Sequence, residues 1–207
     1  MVNVIKEHKE GVRSKILKAA MRLFVKHGIR AVKMDDVAAE LQMSKRTLYE
    51  IYNNKEDLLV EGVLKSFEQG DLEIQKFAND GHNVLEVIVE ACRQKISFYN
   101  SANPLFFEDA AKYEKLHQAI EETKKKNNQS FLEFMQHGVT EGYFREDINF
   151  ELVSKLLEYF GRYMMENKMY RDYPIKEIFK NSIYVSIRGL CTLKGVETLD
   201  NLIEQVL

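Results

Sequence analysis

Proline occurs only at positions 104 and 174, and in the long stretches between breakers apolar residues recur at three- and four-residue steps, as in Leu152, Leu156, Phe160, Tyr163 and Met164. Such a repeat lays one apolar stripe along a helix, whereas a half-buried strand needs strict alternation. No sustained alternation, Asn-Gly hairpin signal or fixed-period repeat is present in the sequence. The spacing therefore predicts an all-α chain, with helices near 12–27, 35–41, 45–51, 55–79, 82–100, 105–111, 113–141, 150–169, 175–194 and 197–206.

A chain of 207 residues with 45% hydrophobic content can bury a core and hold a small domain beside a larger one. Cys92 and Cys191 are far apart and in no CxxC pair, so neither a disulfide framework nor a zinc site is encoded, and a reducing cytoplasm is the expected compartment. No apolar stretch approaches the roughly 20 residues needed to span a bilayer. The five histidines show no metal spacing, and no GxSxG, GxGxxG or P-loop occurs. No catalytic residue, metal, cofactor or membrane partner is expected.

The charge is uneven. Residues 1–55 carry twelve basic against six acidic side chains, an excess of six positive in a chain of net charge −2, which leaves −8 for the remainder. A basic head on an acidic body is the asymmetry expected when one end meets phosphates. The run Lys124-Lys125-Lys126 does not extend that surface, because Glu121 and Glu122 precede Lys125 and Lys126 by four residues and pair with them on a solvated face.

Turn signals divide residues 13–58 into three short helices. Ile16, Ala20, Leu23 and Phe24 form the stripe of the first, and Gly28 supplies the left-handed stop that ends it. Val37, Ala38 and Leu41 face inward from the second, the small Ala38 allowing a close crossing, and Met43 plugs the turn. Ser44 is a good N-cap for the third, which Leu48 and Ile51 anchor. Lys45, Arg46, Thr47, Tyr49 and Glu50 are left facing outward beside a helix N-terminus with its partial positive charge. That is a helix-turn-helix DNA reader: Arg46 can donate twice to a guanine edge, Thr47 can meet a thymine methyl or a phosphate, and Tyr49 can reach the backbone. Asn54 caps the next helix, and Lys55 sits where an adjacent phosphate strand would pass. The joint between a DNA-binding domain, 1–54, and a helical body, 55–207, falls at the start of that helix with no Ser/Gly linker. The arm of residues 1–11 holds Lys6 and Lys9; it reads as disordered, with minor-groove contact as the alternative.

Three segments, Gly28-Ile29-Arg30-Ala31, Met34-Asp35-Asp36-Val37-Ala38 and Ser44-Lys45-Arg46-Thr47-Leu48-Tyr49, followed by Tyr52-Asn53-Asn54-Lys55-Glu56-Asp57-Leu58-Leu59, resemble the TetR family of transcriptional repressors over residues 12–60. The resemblance implies a homodimer that binds a palindromic double-stranded operator and is released by a small-molecule effector bound in the helical body. It also implies DNA contact by Lys45, Arg46, Thr47, Tyr49 and Lys55. Two positions depart from the family pattern. Lys33 stands where a hydroxyl residue often caps the second helix, able to replace a phosphate contact though not the cap. Gln42 stands where glycine is usual in the turn, at a cost on the order of 1 kcal/mol if its backbone is left-handed. With Ser44 at the exposed N-terminus, the expected DNA-binding set is Lys33, Ser44, Lys45, Arg46, Thr47, Tyr49 and Lys55.

In the body, Leu156, Leu157, Tyr159, Phe160, Ile183, Ile187, Leu190 and Cys191 exceed what one core stripe requires and are assigned to a dimer interface. Aromatic and adaptable side chains can line an apolar cavity, and Tyr99, Phe106, Phe131, Met135, Tyr159 and Tyr163 are the candidates for effector contact. A helical enzyme, or a scaffold whose basic head binds an acidic protein, are the other classes this sequence allows. Salt-dependent duplex binding with a preferred sequence separates the first reading from both.

Overall fold

The computed structural model describes the backbone of residues 2–204 and the side chains of residues 10–204, so the side chains of Lys6 and Lys9 lie outside the described residues. The order is α1 (Val2–His27), α2 (Met34–Glu40), α3 (Lys45–Ile51), α4 (Lys55–Asn79), α5 (Val84–Ser101), α6 (Pro104–Ala110), α7 (Glu114–Thr140), α8 (Phe150–Glu166), a 3₁₀ turn (Met169–Arg171), α9 (Ile175–Phe179), a π turn (Lys180–Tyr184), α10 (Val185–Leu190) and α11 (Leu193–Ile203). Among the described residues no strand forms, and an isolated antiparallel bridge pairs Phe144 with Cys191.

Short polar side chains set where the helices start. Ser44, Asn54, Asn83, Asn103, Asn149 and Thr192 accept from the backbone N–H groups of Thr47, Asp57, Glu86, Leu105, Leu152 and Gly195 at 2.8–3.2 Å. Each oxygen satisfies a donor that the helix itself cannot. The cap at Thr192 starts α11 at Leu193, earlier than the expected 197, and ends the preceding helix at Leu190. The expected single helix 175–194 instead widens through the π turn, whose extra residue re-aims the chain. At the other end α1 runs back to Val2, because residues 2–10 contain no proline or glycine and the disorder expected there is not what the backbone shows.

The described residues of Met1–Gln69 and Ala102–Thr123 form one compact unit, those of Gly70–Ser101 and Lys124–Leu207 a second. In the first, Ile16, Leu17, Ala20 and Phe24 of α1, Val37 and Ala38 of α2, Leu48 of α3, Leu58 and Leu59 of α4 and Phe106 and Phe107 of α6 are all buried, with α1 packed on α2 and α6 and α2 on α3. In the second, Val84, Leu85 and Val89 of α5 pack with Met135, Phe144, Ile187, Leu190, Cys191 and Leu199. A neighbouring cluster gathers Ile96, Met164, Ile175, Ile178 and Phe179.

This packing revises the expected dimer surface. Ile187, Leu190 and Cys191 are spent on the core of their own unit, and Phe160 and Ile183 pack against it. Leu156 and Tyr159 remain outward, and with Leu152 and Tyr163 they make an exposed apolar stripe along α8 at steps of four, three and four residues. Periodicity revealed the apolar faces but not which of them the chain covers itself.

The turn after α2 is a Schellman motif. Gln42 N–H donates to Ala39 O and Met43 N–H to Ala38 O, both at 3.0 Å, with Gln42 left-handed at φ 52°. The sequence-based condition for strain is therefore met. Replacing Gln42 by glycine removes the Cβ clash at the cost of a looser unfolded chain, so Gln42→Gly is expected to stabilise by about 0.5–1 kcal/mol. Urea unfolding with an unchanged m-value is the measurement; a lower midpoint would show that the side chain is not strained.

Candidate nucleic-acid interface

The third helix presents its charged side to solvent because Leu48, fully buried, pins the opposite side. Ser44 Oγ accepts the Thr47 N–H at 3.1 Å and lies 2.8 Å from the Thr47 hydroxyl, so one serine fixes both the helix start and a side chain of the reading face. Lys45, Arg46, Thr47, Tyr49 and Glu50 are exposed, the Arg46 side chain to 89%. Ser44 and Lys33 are exposed as well. At the start of α2 the Asp36 carboxylate accepts the Lys33 N–H at 2.7 Å, supplying half of a capping box where the usual hydroxyl is missing.

The exposed cations do not stand alone. The Lys45 ammonium pairs with Asp35 of α2, and that carboxylate raises the lysine's pKa. Arg46 donates its Nε–H to Glu50 Oε1 at 2.9 Å, one turn along the same helix. Neither carboxylate was among the residues expected to matter for DNA. The i,i+4 spacing of Arg46 and Glu50 would have revealed one pair; the Asp35 contact is tertiary and has no sequence signal.

Lys55, expected beside a phosphate strand, has its ammonium engaged within the chain. Its ammonium donates to Ile29 O at 2.9 Å and Val32 O at 3.0 Å, and burial lowers its pKa. Two of its three donors are thus spent on the loop between α1 and α2. From the other side Asp109 of α6, a carboxylate only 7% exposed, accepts the Arg30 N–H at 2.8 Å. Gly28 sits between at φ 85°, where a Cβ would lie 2.9 Å from the Leu105 Cβ. Asn103 completes the fastening, its backbone N–H and side-chain amide donating to Val25 O and Lys26 O at the end of α1. Nearby, the Arg13 guanidinium pairs with Glu61, lowering that carboxylate's pKa, and lies 4.7 Å above the Tyr52 ring.

The effector candidates are not brought into one cluster. Phe106 is buried in the first unit against Phe107, their ring centroids 5.4 Å apart. Met135 lies in the core beside Phe144, Phe131 is partly exposed, and Tyr159 and Tyr163 belong to the outward stripe of α8. Tyr99 packs against the cluster of Ile96 and Phe179, its ring 6.2 Å from that of Phe179. Beside that cluster is a small apolar cavity of about 20 Å³ lined by Ile88, Cys92, Ile96, Phe179, Ile183 and Tyr184 among others. Among the described residues no group of acidic, histidine or cysteine side chains is placed to hold a metal ion, and no helix is long and apolar enough to cross a membrane.

Residues 16–61 match the model of the bacterial regulatory proteins of the tetR family. The HTH-type transcriptional repressor KstR2 of Rhodococcus jostii is 27% identical over 157 residues, covering 72% of this chain and 76% of its own length. The uncharacterized HTH-type transcriptional regulator YvaF of Bacillus subtilis is 41% identical over 76 residues, which is 36% of this chain and 39% of its own. The solved structure of a transcriptional regulator from Cytophaga hutchinsonii matches with a TM-score of 0.67 at 20% identity, covering 86% of this chain and 97% of that one. The fatty acid degradation regulator FadR from Bacillus halodurans matches at 0.66 and 18% identity, covering 86% and 95%. The matched segment holds the buried anchors of α1 to α3, the left-handed turn at Gln42 and the outward face of Lys45, Arg46, Thr47 and Tyr49. Residues 16–61 are therefore similar to the DNA-binding region of the bacterial regulatory proteins of the tetR family.

Proposed function

We propose that this chain is a DNA-binding transcription regulator of the TetR family, a cytoplasmic repressor that binds a palindromic operator as a homodimer, reads it with α3, and releases it when a small apolar molecule occupies the helical body. The observation that carries the reading is α3 itself: a fully buried Leu48 on one side and five exposed polar or charged side chains on the other, beginning at a capped N-terminus. In the major groove, Arg46 is assigned to a base edge, and Lys33, Ser44, Lys45, Thr47 and Tyr49 to phosphates or the sugar–phosphate backbone. Lys55 supports this surface from behind through the carbonyls it binds.

Pairing is assigned to the α8 stripe of Leu152, Leu156, Tyr159 and Tyr163, each more than half exposed in the single chain. A soluble protein rarely leaves such a contiguous apolar face open, and two copies related by a two-fold axis would cover it with itself. The effector is assigned to the apolar interior around Cys92, Ile96, Tyr99 and Phe179, which must swell to admit a ligand because the present cavity holds little more than a water-sized body.

Selecting bound duplexes from a random pool, followed by a small-molecule screen for loss of the selected complex, tests operator and effector together. A pool that yields no enriched sequence would overturn the reading.

Arg46→Ala is expected to weaken operator binding by roughly 1–3 kcal/mol and to relax discrimination at one base pair per half-site, with the melting temperature unchanged. Binding to operators substituted one position at a time checks it. Lys55→Ala strips partners from the Ile29 and Val32 carbonyls and is expected to cost about 1–3 kcal/mol of stability while leaving the salt dependence of DNA binding unaltered. A salt slope reduced by about 0.9 per subunit at undiminished stability would restore Lys55 to the phosphate-contacting set. Leu156→Arg buries a charge in the assigned pairing face, and sedimentation at micromolar concentration is expected to show monomers; an unchanged oligomer would place the interface elsewhere.

A further inference from the structure

The positive excess of the N-terminal region does not reside in its reading element. Residues 1–32 hold eight basic and two acidic side chains, whereas residues 33–55 balance four basic ones, Lys33, Lys45, Arg46 and Lys55, with Asp35, Asp36, Glu40 and Glu50. Asp36 is turned back onto the Lys33 N–H, and Glu40 pairs with Arg22 of α1. The other two carboxylates hold the cations of α3: Asp35 holds Lys45, and Glu50 holds Arg46. Both pairs are open to solvent, with the side chains of Asp35 and Glu50 47% and 60% exposed, so each can be broken at small cost when a better partner arrives.

A cation already paired gains little from a phosphate, since the exchange frees a carboxylate that the same phosphate repels. It gains more where the displaced carboxylate or the freed guanidinium also finds a base edge. Arg46 uses only its Nε–H on Glu50, which leaves the guanidinium's outer nitrogens for guanine O6 and N7, and Glu50 is placed to accept from the N4 amine of a neighbouring cytosine. We propose that Asp35 and Glu50 are specificity-determining residues of this regulator: by pairing with Lys45 and Arg46 they suppress attachment to arbitrary duplex, so that tight binding requires the matching base edges. The proposal rests on α3 being the DNA reader.

The test compares wild type, Asp35→Asn, Glu50→Gln and the double variant on a selected operator and on a random duplex of equal length, across a range of salt. Each single substitution is expected to raise affinity for the random duplex about two- to fivefold and to steepen its salt slope by about 0.9 per subunit, with the operator-to-random ratio falling accordingly. Glu50→Gln is also expected to lose preference at one cytosine position. Asp147→Asn removes the same charge from an exposed pair with Arg145 in the other unit and is expected to leave both duplexes unaffected, so an equal effect there would show a general charge effect and overturn the proposal. Random-duplex affinity and salt slope unchanged in Asp35→Asn and Glu50→Gln would overturn it too, provided wild type binds the operator. Failure of wild type to bind any duplex would instead sink the assignment of α3.

Discussion

The loop from Gly28 to Lys33 leads into the α2–α3 pair, and several of its peptide groups are satisfied by side chains of other elements. Left unpaired inside a protein, each would cost about 1–3 kcal/mol. Lys55 takes the Ile29 and Val32 carbonyls, Asp109 takes the Arg30 N–H, and Asn103 takes the last carbonyls of α1. These three residues begin or belong to α4 and α6, so the attitude of the reading helices is fixed by segments remote in sequence. The cation and the carboxylate also face a common loop from two sides, and the field of Asp109 favours the protonated state of Lys55 that burial alone would weaken. A neutral replacement on either side leaves the other charge less compensated, which makes the clamp cooperative.

Local chemistry was legible wherever one residue acts on its near neighbours. The starts of α3 and α4 follow from Ser44 and Asn54, the strain at Gln42 from the turn it occupies, and the outward face of α3 from the spacing of Leu48 and Ile51. Lys55 starts α4 as expected, but its bonds to two carbonyls 23 and 26 residues back were not legible, because a lysine on a helix start looks the same whether it meets a phosphate or a distant loop. Asp109 gave no signal at all. It lies in a seven-residue helix beside a second acid, Glu108, and its burial is made tolerable by the Arg30 N–H at 2.8 Å and the Lys112 ammonium at 3.7 Å.

The body was harder to read for a different reason. An apolar stripe announces that a face is to be covered, not what covers it. Leu190 and Leu156 are alike in the sequence, yet the first lies 7% exposed in its own core and the second 58% exposed on α8. Aromatic residues carry the same ambiguity, since Phe106 and Phe144 fill cores that need large side chains as much as any cavity would. What distinguishes an effector site is slack in the packing. The cavity proposed for the effector lies beside Cys92, Ile96 and Phe179 and meets the π turn through Ile183 and Tyr184, an arrangement that no single side chain announces in the sequence.

The electrostatic arrangement follows a division of labour. Long-range attraction to a duplex depends on summed charge and is largely screened beyond about 8–10 Å at physiological salt. The surplus of cations in residues 1–32 can supply it without lying on α3. Discrimination among sequences is a difference between two binding energies, so it improves when the non-specific one is lowered, even if the specific one is unchanged. A helix of unpaired lysines and arginines would grip every phosphate and leave base contacts a minor share of the total. Pairing Lys45 with Asp35 and Arg46 with Glu50 would reduce that grip on the helix proposed to read base edges, and it also holds both long side chains near one geometry before DNA arrives. The carboxylates of α2 and α3 therefore belong to the reading surface as much as the cations do.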